Sequence, residues 1–164
     1  MTIKTHIDFK EYVKLMYILT YRKGAFIFTG LLGVFLFTIS MLYFTGSLET
    51  DTPPAMAITM SIIFLFLLPF SVYFGAKKNY YSHGRLQEEI SYEITEDLIA
   101  IKGETFTTEM SWDKTYRVLE LKNWLLIYEN KMMANIIPKR SIDNMDKLRG
   151  IIRNQSIKQK LKRS

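Results

Sequence analysis

Cysteine is absent from the chain, which removes disulfides, thiolate nucleophiles and cysteine metal sites and agrees with a reducing compartment for any soluble part. Histidine is nearly as scarce. His6 and His83 are the only two and stand far apart in sequence, and with so few ligand types left no metal site is expected. Phosphate-cradling glycine loops, the G-x-S-x-G elbow and H-E-x-x-H are all missing, and no cofactor is implied. Glu88-Glu89 and Glu96-Asp97 are the carboxylate pairs available for acid–base work, but such pairs at strand ends are ordinarily solvated turn residues. Without convergent reacting groups, catalysis is not expected. Nucleic-acid binding needs basic residues interleaved with exposed aromatics or a known module, and neither occurs. The length of 164 residues leaves room for one small soluble domain and excludes a large enzyme.

Charge is missing altogether from two long stretches, and this absence organises the rest. Ala25 to Thr45 and Pro53 to Ala76 are apolar and uncharged. A bilayer-spanning helix needs about 20 such residues, because the hydrocarbon core is about 30 Å thick and each residue rises about 1.5 Å. Mean hydropathy near zero (+0.02) therefore averages two unlike regions, a helical hairpin and a polar remainder. The first run starts too far from Met1, is too long, and precedes a second run, so it reads as a retained span and not a secretory leader.

The link Gly46 to Thr52 carries Glu49 and Asp51 but no basic residue. Arg22 and Lys23 precede the first span, and Lys77, Lys78 and Arg85 follow the second. This bias predicts a multi-pass protein with both termini cytoplasmic, and it accounts for the net charge of +6. Neither span contains an ionisable residue, so no ion or proton path is expected. Small residues at four-residue spacing, Thr29 with Gly33 and Ala57 with Ser61, form patches where helices can approach closely. They join either the two spans to each other or the hairpin to another membrane protein. Pro69 lies deep inside the second span and should kink that helix.

Before the spans, Asp8 with Glu11 three residues on has the form of a capping box. Phe9, Tyr12, Val13, Met16 and Tyr17 then follow at helical spacing. This amphipathic helix, within residues 1–23, either lies in the headgroup layer or packs on the soluble domain.

After Arg85 the pattern alternates. Ile90, Tyr92 and Ile94, and later Phe106, Thr108, Met110 and Trp112, face one side, and about six antiparallel strands are expected over residues 86–164. Asn130-Lys131 marks a tight turn, Pro138 ends the last strand, and Ser141 caps a helix carrying Ile142, Met145, Leu148 and Ile152. The fold class is thus membrane α+β: a two-helix hairpin, then a small antiparallel β domain with a C-terminal helix. Trp112 and Trp124 form either an aromatic binding wall or core. Lys77, Lys78, Lys139, Arg140, Lys158, Lys160, Lys162 and Arg163 are candidates to face lipid headgroups, or else an ordinary basic surface.

Two spans followed by Ser111-Trp112, Arg117-Val118-Leu119-Glu120, Trp124-Leu125-Leu126-Ile127-Tyr128 and Ile136-Ile137-Pro138-Lys139-Arg140 resemble the bacterial YcxB-like membrane protein family. The resemblance covers most of the chain and implies a pleckstrin-homology-like β domain and a bacterial inner membrane. It brings no catalytic residues. The function expected is that of a small interaction protein, held in membrane lipid and binding a protein partner. Forms of it are immunity against a membrane-acting toxin, a regulator or subunit of a membrane transporter or enzyme, and a headgroup-binding adaptor. Self-association is compatible with each.

Overall fold

Alternating burial is what turns the segment after Arg85 into sheet. In the computed structural model, which describes residues 1–48 and 52–161, the chain divides into two units: Met1–Ile7 with Gly84–Ser164, and Asp8–His83. The first unit holds two four-stranded sheets. One runs in the order β1 (Thr2–Thr5), β2 (Ile90–Ile94), β3 (Leu98–Lys102), β4 (Thr107–Ser111), all antiparallel. Its register sets Ile3 against Tyr92 and Tyr92 against Ile101, and it sets Ile94 against Ile99 and Ile99 against Met110. These side chains are all buried and form one face of the core.

The second sheet is ordered β7 (Ala134–Pro138), β6 (Trp124–Tyr128), β5 (Arg117–Glu120), β8 (Gln159–Lys160), with β8 parallel to β5 and the others antiparallel. Its central strand β6 is buried at all five positions, which explains the unbroken apolar run Trp124-Leu125-Leu126-Ile127-Tyr128. Helix α5 (Met145–Arg153) closes the unit by sinking Leu148 and Ile152 completely into the core. The α+β class is as expected. What the resemblance implies as a pleckstrin-homology-like domain is here two four-stranded sheets, antiparallel except for the β5–β8 pair, with one helix near the C-terminus.

Several local expectations are corrected. Thr2–Thr5 form a strand of the β unit, which therefore begins before the hairpin and ends after it and is not confined to residues 86–164. Ile3 is 1% exposed and is as much core as any residue after Arg85. With β1 and the short β8 included, the strands exceed the six expected, because neither brief segment shows enough alternation to stand out. Strand β4 stops at Ser111, and Trp112 opens a 3-10 turn (Trp112–Lys114) that folds its ring inward. Helix α5 starts later than Ser141. Its cap is Asn144, whose Oδ1 accepts from Lys147 N at 2.9 Å, while Ser141 Oγ donates to Thr5 Oγ1 at 3.2 Å. Asp8 precedes helix α1 (Phe9–Tyr21) as expected, but its side chain makes no capping hydrogen bond.

In the second unit, α1 is followed by α2 (Gly24–Phe44), α3 (Ala55–Ile62), a π-helical turn (Ile63–Leu67) and α4 (Leu68–Ser82). The last three form one continuous helix from Ala55 to Ser82, uncharged as far as Ala76. Pro69 does not break it but changes its winding. Proline has no N–H for the carbonyl four residues back, and its ring needs room there, so the preceding turn widens into π geometry. The aromatic face of α1 has a partner within its own unit. It packs on the C-terminal part of α4, with the Phe9 ring 5.5 Å from Tyr80 and 6.0 Å from Tyr73, and Tyr12 5.7 Å from Tyr80. The Tyr17 hydroxyl donates to the Pro69 carbonyl at 2.8 Å and ties α1 to the widened turn.

Candidate functional site

The small residues of the two long helices are turned toward each other. Gly33 is buried, and a Cβ there would meet Phe64 Cβ at 2.9 Å and Leu65 Cδ2 at 3.1 Å, closer than a side chain tolerates. Ser61 and Ser40 are each 3% exposed. Their hydroxyls satisfy themselves on their own helices, Ser61 Oγ on Ile58 O at 2.8 Å and Ser40 Oγ on Leu36 O at 2.9 Å. Thr29 is half-buried and donates to Phe26 O at 3.1 Å, and Ala57 is half-buried. Of the two readings of these patches, the geometry supports pairing within the hairpin. Gly33 is occupied by its own chain, and Ser40 belongs to the same seam although sequence spacing did not single it out.

The opposite faces are large and apolar. Phe28, Leu31, Phe35, Phe44, Phe70 and Phe74 are each more than half exposed. Helices this apolar in a soluble core would be buried, yet only 11% and 6% of their most apolar windows are. The two helices therefore point to membrane association.

The basic candidates separate into different roles. Lys77, Lys78 and Lys158 are exposed. Arg140 is exposed and its Nη2 donates to His6 O at 3.0 Å, so the side chain also braces the N-terminal segment. Lys139 is engaged within the fold. Its ammonium pairs with the carboxylate of Glu120, whose side chain is 0% exposed. Lys160 lies in β8, and Lys162 and Arg163 lie outside the described residues, as do Glu49 and Asp51 of the acidic link.

Sequence reasoning missed the group around Glu120. Arg149 Nη2 donates to Glu120 Oε1 at 2.7 Å and its Nε to Oε2 at 3.1 Å, a two-pronged grip, while Nη1 donates to Asp146 Oδ1 at 2.7 Å. These bonds, those to Glu120 first, push the Arg149 guanidinium pKa further above its already high ordinary value. Glu120 ends β5, Lys139 follows β7 and Arg149 lies on α5, so one buried carboxylate joins the helix to the sheet. No sequence signal marks it, because the partners stand 19 and 29 residues away. With its charges spent on each other, the group has no free nucleophile or base.

The tryptophans resolve to core. Trp112 and Trp124 are each 3% exposed, and Trp112 Nε1 donates to Thr95 O at 3.0 Å. Of the acidic pairs, Glu88 is engaged at the β3–β4 turn. Its Oε1 accepts from Thr105 Oγ1 at 2.6 Å and its Oε2 from Thr105 N at 3.0 Å, bonds that hold its carboxyl below the usual carboxylate range. Gly103 lies under this contact, where any Cβ would collide with the Phe106 ring and the Glu88 carboxylate. Arg85 stacks over the same ring at 4.5 Å. Among the described residues, no group of three or more His, Asp or Glu is placed to hold a metal ion.

These features define a class: a small α+β protein with an apolar helical hairpin set between the first and second strands of its β unit. Residues 94–152, less than half of the chain, match the model of the YcxB-like protein family, so the similarity lies in the β unit and does not extend over most of the chain as the resemblance suggested. No curated protein and no solved structure matches the chain.

Proposed function

We infer that the protein is a non-enzymatic, multi-pass interaction protein of a bacterial inner membrane, with both termini cytoplasmic and the β unit offered to a protein partner. The observation that carries this reading is the pairing of β1 with β2 across the hairpin. Two strands of one sheet must lie on the same side of a membrane, so the segment between them crosses it an even number of times. The two apolar helices provide two crossings. The basic flanks Arg22, Lys23, Lys77, Lys78 and Arg85 favour the cytoplasm for that side.

An interaction role, as opposed to catalysis, is supported by the Glu120 group, whose charges are mutually satisfied, and by the engagement of Glu88 in a turn. Immunity against a membrane-acting toxin, control of a membrane transporter or enzyme, and adaptor binding of lipid headgroups are forms of the same reading. Alkaline phosphatase fused after Ser164 should be inactive and a cytoplasmic reporter there active; the reverse would overturn the topology. Pull-down from native membranes in mild detergent should bring down a stoichiometric protein partner. For immunity, cells expressing a neighbouring toxin should keep their membrane potential only when this protein is present, and equal depolarisation with and without it removes that form.

A further inference from the structure

Helix α1 is charged in one half only. Its first half carries Lys10, Glu11 and Lys14, whereas Leu15 to Tyr21 has no charge at all. Lys10, Lys14, Tyr17 and Tyr21 fall on one stripe, because steps of four, three and four residues return to the same face of a helix with 3.6 residues per turn. Along that stripe exposed lysines give way to half-buried tyrosines. A helix solvated along its whole length gains nothing from such a gradient.

Contacts with α4 give the gradient a direction. In the first half of α1, the Phe9 and Tyr12 rings lie 5.5 and 5.7 Å from Tyr80, past Lys77 and Lys78, and Phe9 reaches Tyr73 as well. In the second half, the Tyr17 hydroxyl bonds to the Pro69 carbonyl, seven residues before the uncharged run ends at Ala76. The Tyr21 ring follows, 6.1 Å from Phe26 near the start of α2. Helix α1 thus descends along α4, its charged half beside the charged end of α4 and its uncharged half beside the uncharged part. Six exposed cations gather at this end of the hairpin unit: Lys10 and Lys14 on α1, Arg22 and Lys23 in the turn to α2, and Lys77 and Lys78 on α4, with Asp8 and Glu11 the only acids among them.

We propose that α1 is a third lipid-contacting helix: its uncharged half, Leu15 to Tyr21, lies in the headgroup–acyl boundary, and Lys10 and Lys14 hold the phosphates of anionic phospholipids above it. The inference rests on the reading of the long helices as membrane-spanning and adds a lipid class to it. Lipid is the occupant because α4 serves as a depth gauge. Seven residues of helix span about 10 Å, so a side chain level with Pro69 lies about that far inside the point where the charges of α4 begin. Tyrosine suits that depth, with its ring in the apolar layer and its hydroxyl on a polar partner. Lysine stems cross the boundary and leave the ammonium among the phosphates.

The cysteine-free sequence makes the test clean. The full chain carrying Tyr21→Cys, or Ile18→Cys as a second position, is labelled with a small fluorophore and reconstituted into mixed phosphatidylglycerol–phosphatidylcholine vesicles. A nitroxide near the carbonyl end of the lipid acyl chain is the quencher. Phe28→Cys, exposed near the start of α2, reports whether the hairpin is in lipid, and Thr107→Cys, exposed at the start of β4, is the aqueous control. Nitroxide quenching at positions 21 and 18 should match that at 28 and exceed that at 107 several-fold, with iodide quenching in the reverse order. Shielding of 21 and 18 from both quenchers, with 28 quenched by nitroxide, means that protein covers this half of α1 and overturns the proposal while the membrane reading stands. Iodide quenching there as strong as at 107, with 28 still quenched by nitroxide, has the same meaning for the proposal. No nitroxide quenching at 28 overturns both. For the lipid class, a nitroxide carried on phosphatidylglycerol should quench position 21 several-fold more than one carried on phosphatidylcholine, and Lys10→Gln with Lys14→Gln should bring the two to equality. Equal quenching before that exchange, or an undiminished difference after it, overturns the assignment of anionic phosphates to the two lysines.

Discussion

Removing the first seven residues should unfold the β unit although more than eighty of its residues remain. Strand β1 occupies the outer edge of its sheet beside β2, with Thr2 to Thr5 aligned to Glu93 through Ile90. Ile3 is 1% and Ile7 6% exposed, and burying each such side chain contributes about 1.5–3 kcal/mol. The ladder bonds lost with the strand are worth about 0.5–1.5 kcal/mol each, partly recovered by water on the uncovered edge of β2. A loss of about 5 kcal/mol follows. A unit of roughly 90 residues has a total stability of about 5–13 kcal/mol, so the loss consumes much or all of it. The comparison is between residues 84–164 alone and the same segment preceded by residues 1–7 through a flexible Gly/Ser linker. Urea and thermal unfolding followed by near-ultraviolet circular dichroism should give a cooperative transition for the linked form and little or none for the short one. Identical midpoints would refute the reasoning, since β1 would then be an accessory to a sheet that stands without it. Ile3→Ala in the linked form should fall between the two.

Trp112→Ala should lower stability by about 3–5 kcal/mol through the cavity it leaves, with a further contribution from the unpaired Thr95 carbonyl, read as a shifted urea midpoint. Glu120→Ala should cost about 3–5 kcal/mol by leaving Lys139 uncompensated and Arg149 with Asp146 alone, whereas the surface change Glu93→Ala should cost under about 0.5 kcal/mol in the same assay. Gly33→Leu should separate the two long helices without reducing their hydrophobicity, seen as lower hairpin stability in detergent with membrane insertion unchanged. The folded pKa of Glu88 is depressed, so its contribution is present above the ordinary carboxylate pKa and is lost as pH falls through the lowered folded value. Carbon-detected NMR titration should show the Glu88 pKa rising toward its ordinary value in Thr105→Val.

Much of this architecture was legible in the sequence because its signals are local. Uncharged runs of 20 residues or so, alternation at Tyr92 and Ile94, and Pro138 at the end of β7 each announce themselves within one window. Local signals also misled, since Ser141 satisfies the composition of a helix cap but the chain turns three residues further before Asn144 caps α5. Illegible features depend on pairs far apart. Thr2–Thr5 is too short to show a period, and its strand character comes entirely from a partner beyond the hairpin. Lys139 reads as one more surface cation until the fold brings Glu120 to it. The direction in which α1 turns its aromatics is likewise decided by Tyr73 and Tyr80, which no pattern within α1 can name.

The long separation between β1 and β2 gives synthesis an order that shorter proteins escape. Ile3 leaves the ribosome early, while Tyr92, its cross-strand neighbour, is still to be translated. At about 5–20 residues per second the wait lasts roughly 5–20 s, far longer than a hairpin needs to close. During that time the first strand has nothing to pair with, and on the topology proposed above the intervening helices enter the membrane. If one helix fails to cross, the two strands emerge on opposite sides and the sheet can never form. On the topology proposed above, only a chain threaded twice can complete the sheet that pairs β1 with β2.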